Sequence, residues 1–126
     1  MFKRIDHVEI IPSHYEKTIE FYMNILNFKL RERRKVAMPP LEEIVYLELN
    51  GTVVELMSVQ NPSPLSEQQW QVGYQLIALE VEDMDKAIEY LRGKGVEVSW
   101  GPMTLGNSKR AEIKDPNGLS IELRQW

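Results

Sequence analysis

The sequence predicts an α+β fold made of two copies of one small unit, related by a pseudo-two-fold axis. The spelling Asn-Gly-x-x-x-Glu-Leu occurs at residues 50–56 and again at 117–123, so that Gly118 follows Gly51 by 67 residues. Each half of the chain also predicts the same order of elements, a strand, a helix and three further strands. A repeat of this length is typical of supersecondary units too small to bury their apolar faces alone. The two βαβββ modules are therefore expected to share one core.

The first module, residues 1–60, begins with a strand and a helix. Residues 5–11 alternate between polar and apolar side chains, which predicts a half-buried strand that Pro12 ends. Ser13 and Glu16 have the spacing of a capping box, so the helix is expected to start there. The apolar stripe of this helix comprises Ile19, Tyr22, Ile25 and Leu26, and Asn27 follows as its end.

Three strands complete the first module. Residues 28–36 form the first of them, and their run of basic side chains is typical of a charged edge strand. Residues 43–49 and 52–59 are the arms of a hairpin joined by the Asn-Gly at 50–51, because both residues tolerate the positive φ of a type I′ turn. The same reasoning predicts a type I′ turn at the Asn-Gly of residues 117–118.

A polar, proline-bearing connection at residues 61–72 leads to the second module, residues 73–126. Residues 74–81 are expected to form its first strand, and Asp83 is expected to cap its helix. The apolar stripe of this helix comprises Met84, Ala87, Ile88 and Leu91. A strand at 96–99, a turn at Gly101-Pro102 and a loop at 103–107 are expected to follow. Residues 109–114 and 119–124 are expected to form the arms of the second hairpin.

Composition excludes several classes of protein. The net charge is −4, and no basic patch supplies the phosphate contacts that nucleic-acid binding needs. No window is apolar enough to span a membrane, and there is no cysteine for a disulfide, a thiolate metal site or a nucleophile. The two histidines, His7 and His14, are not accompanied by a nucleophile-elbow motif. A small-molecule partner and a cytoplasmic location are the remaining expectations.

The motifs, in their order, resemble one known family. Paired βαβββ modules with Ile-Asp-His-Val at residues 5–8, Asp-Pro-Asn-Gly at 115–118 and Ile-Glu-Leu at 121–123 are similar to the vicinal oxygen chelate superfamily. That superfamily includes glyoxalase I, methylmalonyl-CoA epimerase, extradiol dioxygenases, fosfomycin-resistance enzymes and bleomycin-resistance proteins. The resemblance implies that residues 1–126 form one such domain, an incomplete eight-stranded barrel around a metal-binding cleft, in a homodimer.

The resemblance also assigns the metal ligands, position by position. In the first module, the first-strand ligand falls on His7 and the last-strand ligand on Glu55. In the second module, the last-strand ligand falls on Glu122, but Leu76 occupies the position where a second histidine is common. The site is therefore expected to have three ligands, and one imidazole with two carboxylates suits Zn, Ni, Mn or Fe.

The residues themselves support this assignment unequally. Apolar neighbours flank Glu55 on the same face of its strand, and a carboxylate in such surroundings needs a partner. Glu122 shares its face with polar residues, as on a solvated sheet. Glu9 lies on the His7 face about 7 Å along the strand, where a surface role is favoured over a pocket acid. Arg110 is expected either to position an anionic substrate group or to form a surface salt bridge.

The leading hypothesis is a metal-dependent, glyoxalase-like lyase or isomerase that acts on a small vicinal-oxygen substrate through an enediolate-type intermediate. The metal would act as a Lewis acid, and Glu55 or Glu122 would be the general base for a carbon-bound proton. The alternative is a metal-free binding protein that resembles the bleomycin-resistance proteins, which Leu76 favours and the three retained ligands oppose. A ring-cleaving dioxygenase is third, because such sites typically pair two histidines with one carboxylate.

Overall fold

Each half of the chain folds into one four-stranded sheet with one helical segment in the computed structural model, which describes residues 1–126. The chain divides into two compact units, Met1–Ser66 and Glu67–Trp126. This division falls within residues 61–72, where the sequence places the connection. The predicted α+β fold with two βαβββ modules is confirmed.

The strands of the first unit lie in the order β1-β4-β3-β2. Its elements are β1 (Val8–Ile10), α1 (Tyr15–Glu20), a π-helical segment (Phe21–Ile25), β2 (Lys29–Met38), β3 (Leu41–Leu49) and β4 (Thr52–Val59). Strands β1 and β4 are parallel, and the other neighbours are antiparallel. The turn between β3 and β4 is as predicted, because Asn50 and Gly51 both have positive φ, 48° and 85°.

The helix of the first unit differs in detail from its prediction. It begins at Tyr15 with His14 as its N-cap, one residue later than the capping box indicates. From Phe21 the backbone widens into π-helical turns, which a periodicity of 3.6 residues does not reveal. Asn27 ends the segment as predicted, with a left-handed φ of 64°.

The second unit repeats this arrangement with the strand order β5-β8-β7-β6. Its elements are β5 (Ile77–Glu80), α2 (Met84–Gly93), β6 (Val98–Leu105), β7 (Ser108–Lys114) and β8 (Ser120–Gln125), with β5 parallel to β8. Asp83 caps α2 as predicted, because its Oδ1 accepts a hydrogen bond from the Lys86 N–H at 3.0 Å. No helix in the structure is long and apolar enough to cross a membrane.

Two turns of the second unit differ from their predictions, one because the segment is not a turn and the other because its turn is of a different type. Residues 101–105 lie within β6, where the pairing with β7 shifts register on both sides of Trp100, so the glycine and proline mark a bulge instead of a turn. At residues 117–118 only the glycine has positive φ. The Gly118 N–H donates to the Asp115 carbonyl at 3.0 Å, which closes a four-residue turn with proline at the position that type I turns favour.

Candidate metal centre

One side-chain cluster in the first unit has the composition of a metal site. It consists of His7, Glu9 and Glu55, and one ligand atom from each lies within 4.8 Å of the others. Nε2 of His7 is 3.5 Å from Oε1 of Glu9 and 3.5 Å from Oε2 of Glu55. His7 and Glu55 are two of the three predicted ligands, whereas Glu9 is a member that sequence reasoning assigned to the surface.

The parallel pairing of β1 with β4 brings these side chains together. Glu9 is the register partner of Glu55 on the neighbouring strand. Residues two apart along an extended chain point to the same face, so His7 lies on the side of Glu9 and Glu55. Alternation in the sequence associates His7 with Glu9, but only the register between strands places both beside Glu55.

Tyr46 supports two members of the cluster from β3. It is the register partner of Glu55 on the other side of β4, and its hydroxyl hydrogen-bonds the Glu55 carboxylate. Its ring meets the His7 imidazole edge to face, with 5.7 Å between the ring centroids. Sequence reasoning missed Tyr46, and an alignment of β3 against β4 from their shared turn is the signal that could have found it.

Glu55 is the most strongly buried member, with 5% of its surface exposed. Burial raises the pKa of Glu55, the hydrogen bond from Tyr46 lowers it, and the neighbouring Glu9 raises it again, with a net upward shift. Two adjacent carboxylates repel unless a proton or a cation lies between them. The Glu9–Glu55 pair therefore favours a bound cation.

A hydrogen bond to Asp6 fixes the orientation of His7. Nδ1 of His7 lies 2.8 Å from Oδ2 of Asp6, and this contact is the main reason that the pKa of His7 is raised. With Nδ1 engaged, Nε2 is the nitrogen that faces Glu9 and Glu55. A carboxylate commonly orients a metal-binding histidine in this way.

The donor set fits a divalent cation. One imidazole nitrogen and two carboxylates suit Zn, Mn, Fe or Ni. Ligands with bonds of about 2 Å to one ion lie at most about 4 Å apart, so a small closure of the cluster is enough to hold a metal. The residues present are thus compatible with the metal that the family resemblance implies.

Glu122 is buried on β8 of the second unit between two arginines. Its Oε1 lies 3.0 Å from Nε of Arg110, and its Oε2 lies 3.0 Å from Nε of Arg124. A carboxylate has about four lone-pair sites, so these contacts leave capacity for a further partner. The assignment of Glu122 as a metal ligand stays a prediction.

Leu76 has the same place in the second unit as His7 in the first. Ala78 is the register partner of Glu122, as Glu9 is of Glu55. Leu76 and His7 each lie two residues before that strand position. A half-buried apolar side chain thus stands in the second unit where the first has an imidazole.

Comparison with known proteins gives similarities that extend over nearly the whole chain. A family model described as the Glyoxalase/Bleomycin resistance protein/Dioxygenase superfamily matches residues 4–123. The chain is 32% identical to the protein YwkD of Bacillus subtilis, over 98% of this chain and 97% of that one. It is 31% identical to a lactoylglutathione lyase of Neisseria meningitidis, over 97% and 90% of the two chains. The crystal structure of a glyoxalase family protein from Enterococcus faecalis superposes with a TM-score of 0.85 at 25% identity and covers 98% of each chain.

Proposed function

The chain belongs to the glyoxalase/bleomycin resistance protein/dioxygenase superfamily, and from this membership we propose that it is a metal-dependent, glyoxalase-like lyase or isomerase. The observation that carries the proposal is the cluster of His7, Glu9 and Glu55 in the first unit. Relatives named as lactoylglutathione lyases support the reaction class. The proposed substrate is a small molecule with two neighbouring oxygen atoms.

The proposed metal ligands are Nε2 of His7 and the carboxylates of Glu9 and Glu55. Glu122 belongs to the same proposal as the further ligand that the family resemblance assigns. A bound divalent metal supplies Lewis-acid polarisation of the substrate oxygens. Asp6 holds the His7 ring so that Nε2 is presented to the site.

Glu55 is the proposed general base, with Glu122 as the other candidate. Because burial raises the pKa of Glu55, its carboxylate is a stronger base than an exposed one and is suited to accept a proton from a substrate carbon. The hydrogen bond from Tyr46 orients the Glu55 carboxylate for this transfer. Glu9 then keeps negative charge in the cluster after Glu55 takes the proton.

Leu76 supports a second candidate function, a metal-free small-molecule-binding protein, because it replaces an imidazole with an apolar side chain. A ring-cleaving dioxygenase gains no support from a cluster of one histidine and two carboxylates.

The proposal includes a homodimer, from the family resemblance, and a cytoplasmic location, from the composition.

Metal content and metal titration test the proposal. Protein purified without chelator is expected to contain a stoichiometric divalent metal, and the metal-free form to bind Ni²⁺ or Zn²⁺ in a calorimetric titration. His7→Ala and Glu55→Gln should abolish or strongly weaken metal binding, whereas His14→Ala is the matched control at the other histidine.

Activity is followed as S-lactoylglutathione formation from methylglyoxal and glutathione, and as hydrogen exchange at carbon in D₂O. A protein that neither contains nor binds metal would overturn the proposal in favour of the binding protein.

A further inference from the structure

Two arginines lie directly opposite each other in the sheet of the second unit. Arg110 on β7 is the register partner of Arg124 on β8. Like charges directly opposite each other on neighbouring antiparallel strands destabilise a sheet. The fold nevertheless holds this pair on one face, and the surroundings of the pair indicate what it can bind.

Each guanidinium group is held on two sides. Glu122 contacts Nε of both arginines at 3.0 Å, so one carboxylate bridges them. Arg110 lies over the ring of Trp100 at 5.4 Å, and Arg124 over the ring of Trp126 at 5.1 Å. Arginines that are already held in place lose little freedom when they bind a ligand. The pair is therefore preorganised.

Both guanidinium groups keep hydrogen-bond donors without a protein partner. Arg110 uses Nη2 for Glu112 at 3.2 Å, and its buried Nε faces Glu122 without hydrogen-bond geometry. Arg124 uses Nε for Glu122 and Nη1 for the Ser108 hydroxyl at 3.2 Å. Nη1 of Arg110 and Nη2 of Arg124 have no hydrogen bond to the protein. These terminal nitrogens are available to an acceptor from outside.

Two carboxylates, Glu112 and Glu122, balance the charges of the two arginines, so the pair offers unused N–H donors and no net positive charge. Glu112 contacts only Arg110, and Glu122 is shared, so Arg124 has only the shared carboxylate and the neutral Ser108 hydroxyl as partners. The arginine side chains are 30% and 20% exposed, which allows a small solute to reach them.

From this geometry we propose that Arg110 and Arg124 form a binding site for the oxyanionic group of a small molecule, a carboxylate or a phosphate. The planar, forked guanidinium matches the oxygens of both groups. Glu122 is the positioning residue that holds the two forks side by side, and the two tryptophans support them. The site goes beyond the proposed function, because the two arginines would bind an anion whether or not a metal is bound, although Glu122 is also the further ligand in that proposal.

Tryptophan indole N–H signals in an NMR titration test the site directly. The chain has three tryptophans, and Trp70 serves as an internal control because it is exposed in the connection and contacts neither arginine. The probes are succinate, inorganic phosphate and neutral succinamide, at an ionic strength held constant with sodium chloride. The indole signals of Trp100 and Trp126 should shift saturably with an oxyanion and not with succinamide, while Trp70 stays unchanged. The anion that saturates at the lower concentration identifies the group.

Conservative variants give the second arm of the test. Arg124→Lys keeps the charge but loses the fork, so the apparent Kd for the better anion should rise about tenfold or more. Arg92→Lys on α2 is the matched control and should bind as the wild type does. Glu55→Gln should also bind the anion normally, which separates this site from the proposed metal centre. If no saturable shift occurs in the wild type, or if Arg124→Lys binds with wild-type affinity, the proposal is wrong. The wild-type titration decides alone if Arg124→Lys fails to fold.

Discussion

Tyr46 touches both His7 and Glu55, and it provides the most specific test of the cluster at the scale of single residues. Tyr46→Phe removes the hydroxyl but keeps the ring against His7. We expect metal affinity to fall by about tenfold, because partners behind the ligands typically contribute that much. The pKa of Glu55 should rise further, because the hydrogen bond that lowers it is lost. Calorimetric titration with Ni²⁺ measures the affinity, and Tyr74→Phe, at an exposed tyrosine, is the control. Unchanged metal affinity in Tyr46→Phe would show that Tyr46 contributes only the packing of its ring and that its hydroxyl has no part in metal binding.

His7 gives metal binding a predictable dependence on pH. The Asp6 hydrogen bond raises the pKa of His7 above its ordinary value of 6.5. A protonated imidazole cannot bind a metal, so affinity is present above the raised pKa and lost as the pH falls through it. We expect this loss to be centred above pH 6.5, in titrations between about pH 5 and 8. Asp6→Asn should move the midpoint to lower pH. A wild-type midpoint at or below 6.5 would contradict this account of His7.

Single residues also show what sequence reasoning could and could not predict about the cluster. His7 and Glu55 could be assigned because a family resemblance fixes their positions. Glu9 and Tyr46 could not, because alternation shows which residues of one strand share a face but not which residues of another strand lie beside them. Their positions beside Glu55 follow from the registers of β1 with β4 and of β3 with β4.

At the scale of elements, β6 depends on a glycine that the sequence places in a turn. Gly101 has a φ of +75°, and a Cβ atom there would lie 2.7 Å from the carbonyl oxygen of Arg110 on β7. Gly106 has a φ of +60° with nothing within 4 Å of the same position, so it is a matched control for backbone strain. We expect Gly101→Ala to lower the free energy of unfolding by about 1–3 kcal/mol more than Gly106→Ala does. Urea denaturation of both variants measures the difference. Equal losses of unfolding free energy in Gly101→Ala and Gly106→Ala would mean that β6 can shift away from β7 at little energetic cost.

One arginine connects the helix α1 with two strands of its sheet. Arg33 on β2 contacts Glu16 of α1 and donates two hydrogen bonds, each of 3.1 Å, to the Glu43 carboxylate on β3. This contact lowers the pKa of Glu43, so its stabilising effect is present above the ordinary value of 4.5 and is lost as the pH falls through the lowered value.

Replacing that arginine with lysine therefore has a pH-dependent cost. Arg33→Lys keeps the charge but loses the two-pronged contact with Glu43, and we expect a loss of about 0.5–1 kcal/mol at neutral pH. The loss should shrink in acid, once Glu43 is protonated. Arg34→Lys, next along β2 and paired with Glu32, is the control. Thermal unfolding at neutral and acidic pH measures both variants, and a loss that does not depend on pH would exclude the Glu43 contact as its cause.

At the scale of the whole molecule, the repeated sequence motif predicted the two-module fold correctly. Both copies of the motif form a turn followed by a strand that carries a glutamate. The copies nevertheless turn differently. Asn50 and Gly51 both take positive φ, whereas Pro116 and the buried Asp115 carboxylate hold the second turn in another form. Oδ1 of Asp115 accepts hydrogen bonds from the N–H groups of Asn117 and Leu119 at 2.8 and 3.0 Å. The residues that precede each Asn-Gly pair decide its turn type. The repeated motif alone therefore could not predict that the two turns differ.

The two modules share one plan but differ in chemistry. Around its glutamate, the first module places an imidazole, a second carboxylate and a phenol, from His7, Glu9 and Tyr46. At the corresponding positions around Glu122, the second has Leu76, Ala78 and the carboxylate of Glu112, and two arginines contact Glu122 itself. The proposed cation site therefore lies in the first module, and the proposed anion site lies in the second.

This difference makes Leu76→His an informative substitution. The new imidazole would stand to Glu122 as His7 stands to Glu55, two residues before the register partner of the glutamate. We expect Ni²⁺ or Zn²⁺ to bind more tightly than in the wild type at pH 7.5, and the gain to fade as the pH falls below about 6.5, where a free imidazole is protonated. Gln75→His adds the same side chain one position earlier, at an exposed residue whose side chain hydrogen-bonds the carbonyls of Gln71 and Gly73, and should give no gain. Equal affinities for wild type and Leu76→His would mean that Leu76 does not lie at the metal site or that no metal site exists, and the metal-free binding protein would then be the better account of the chain.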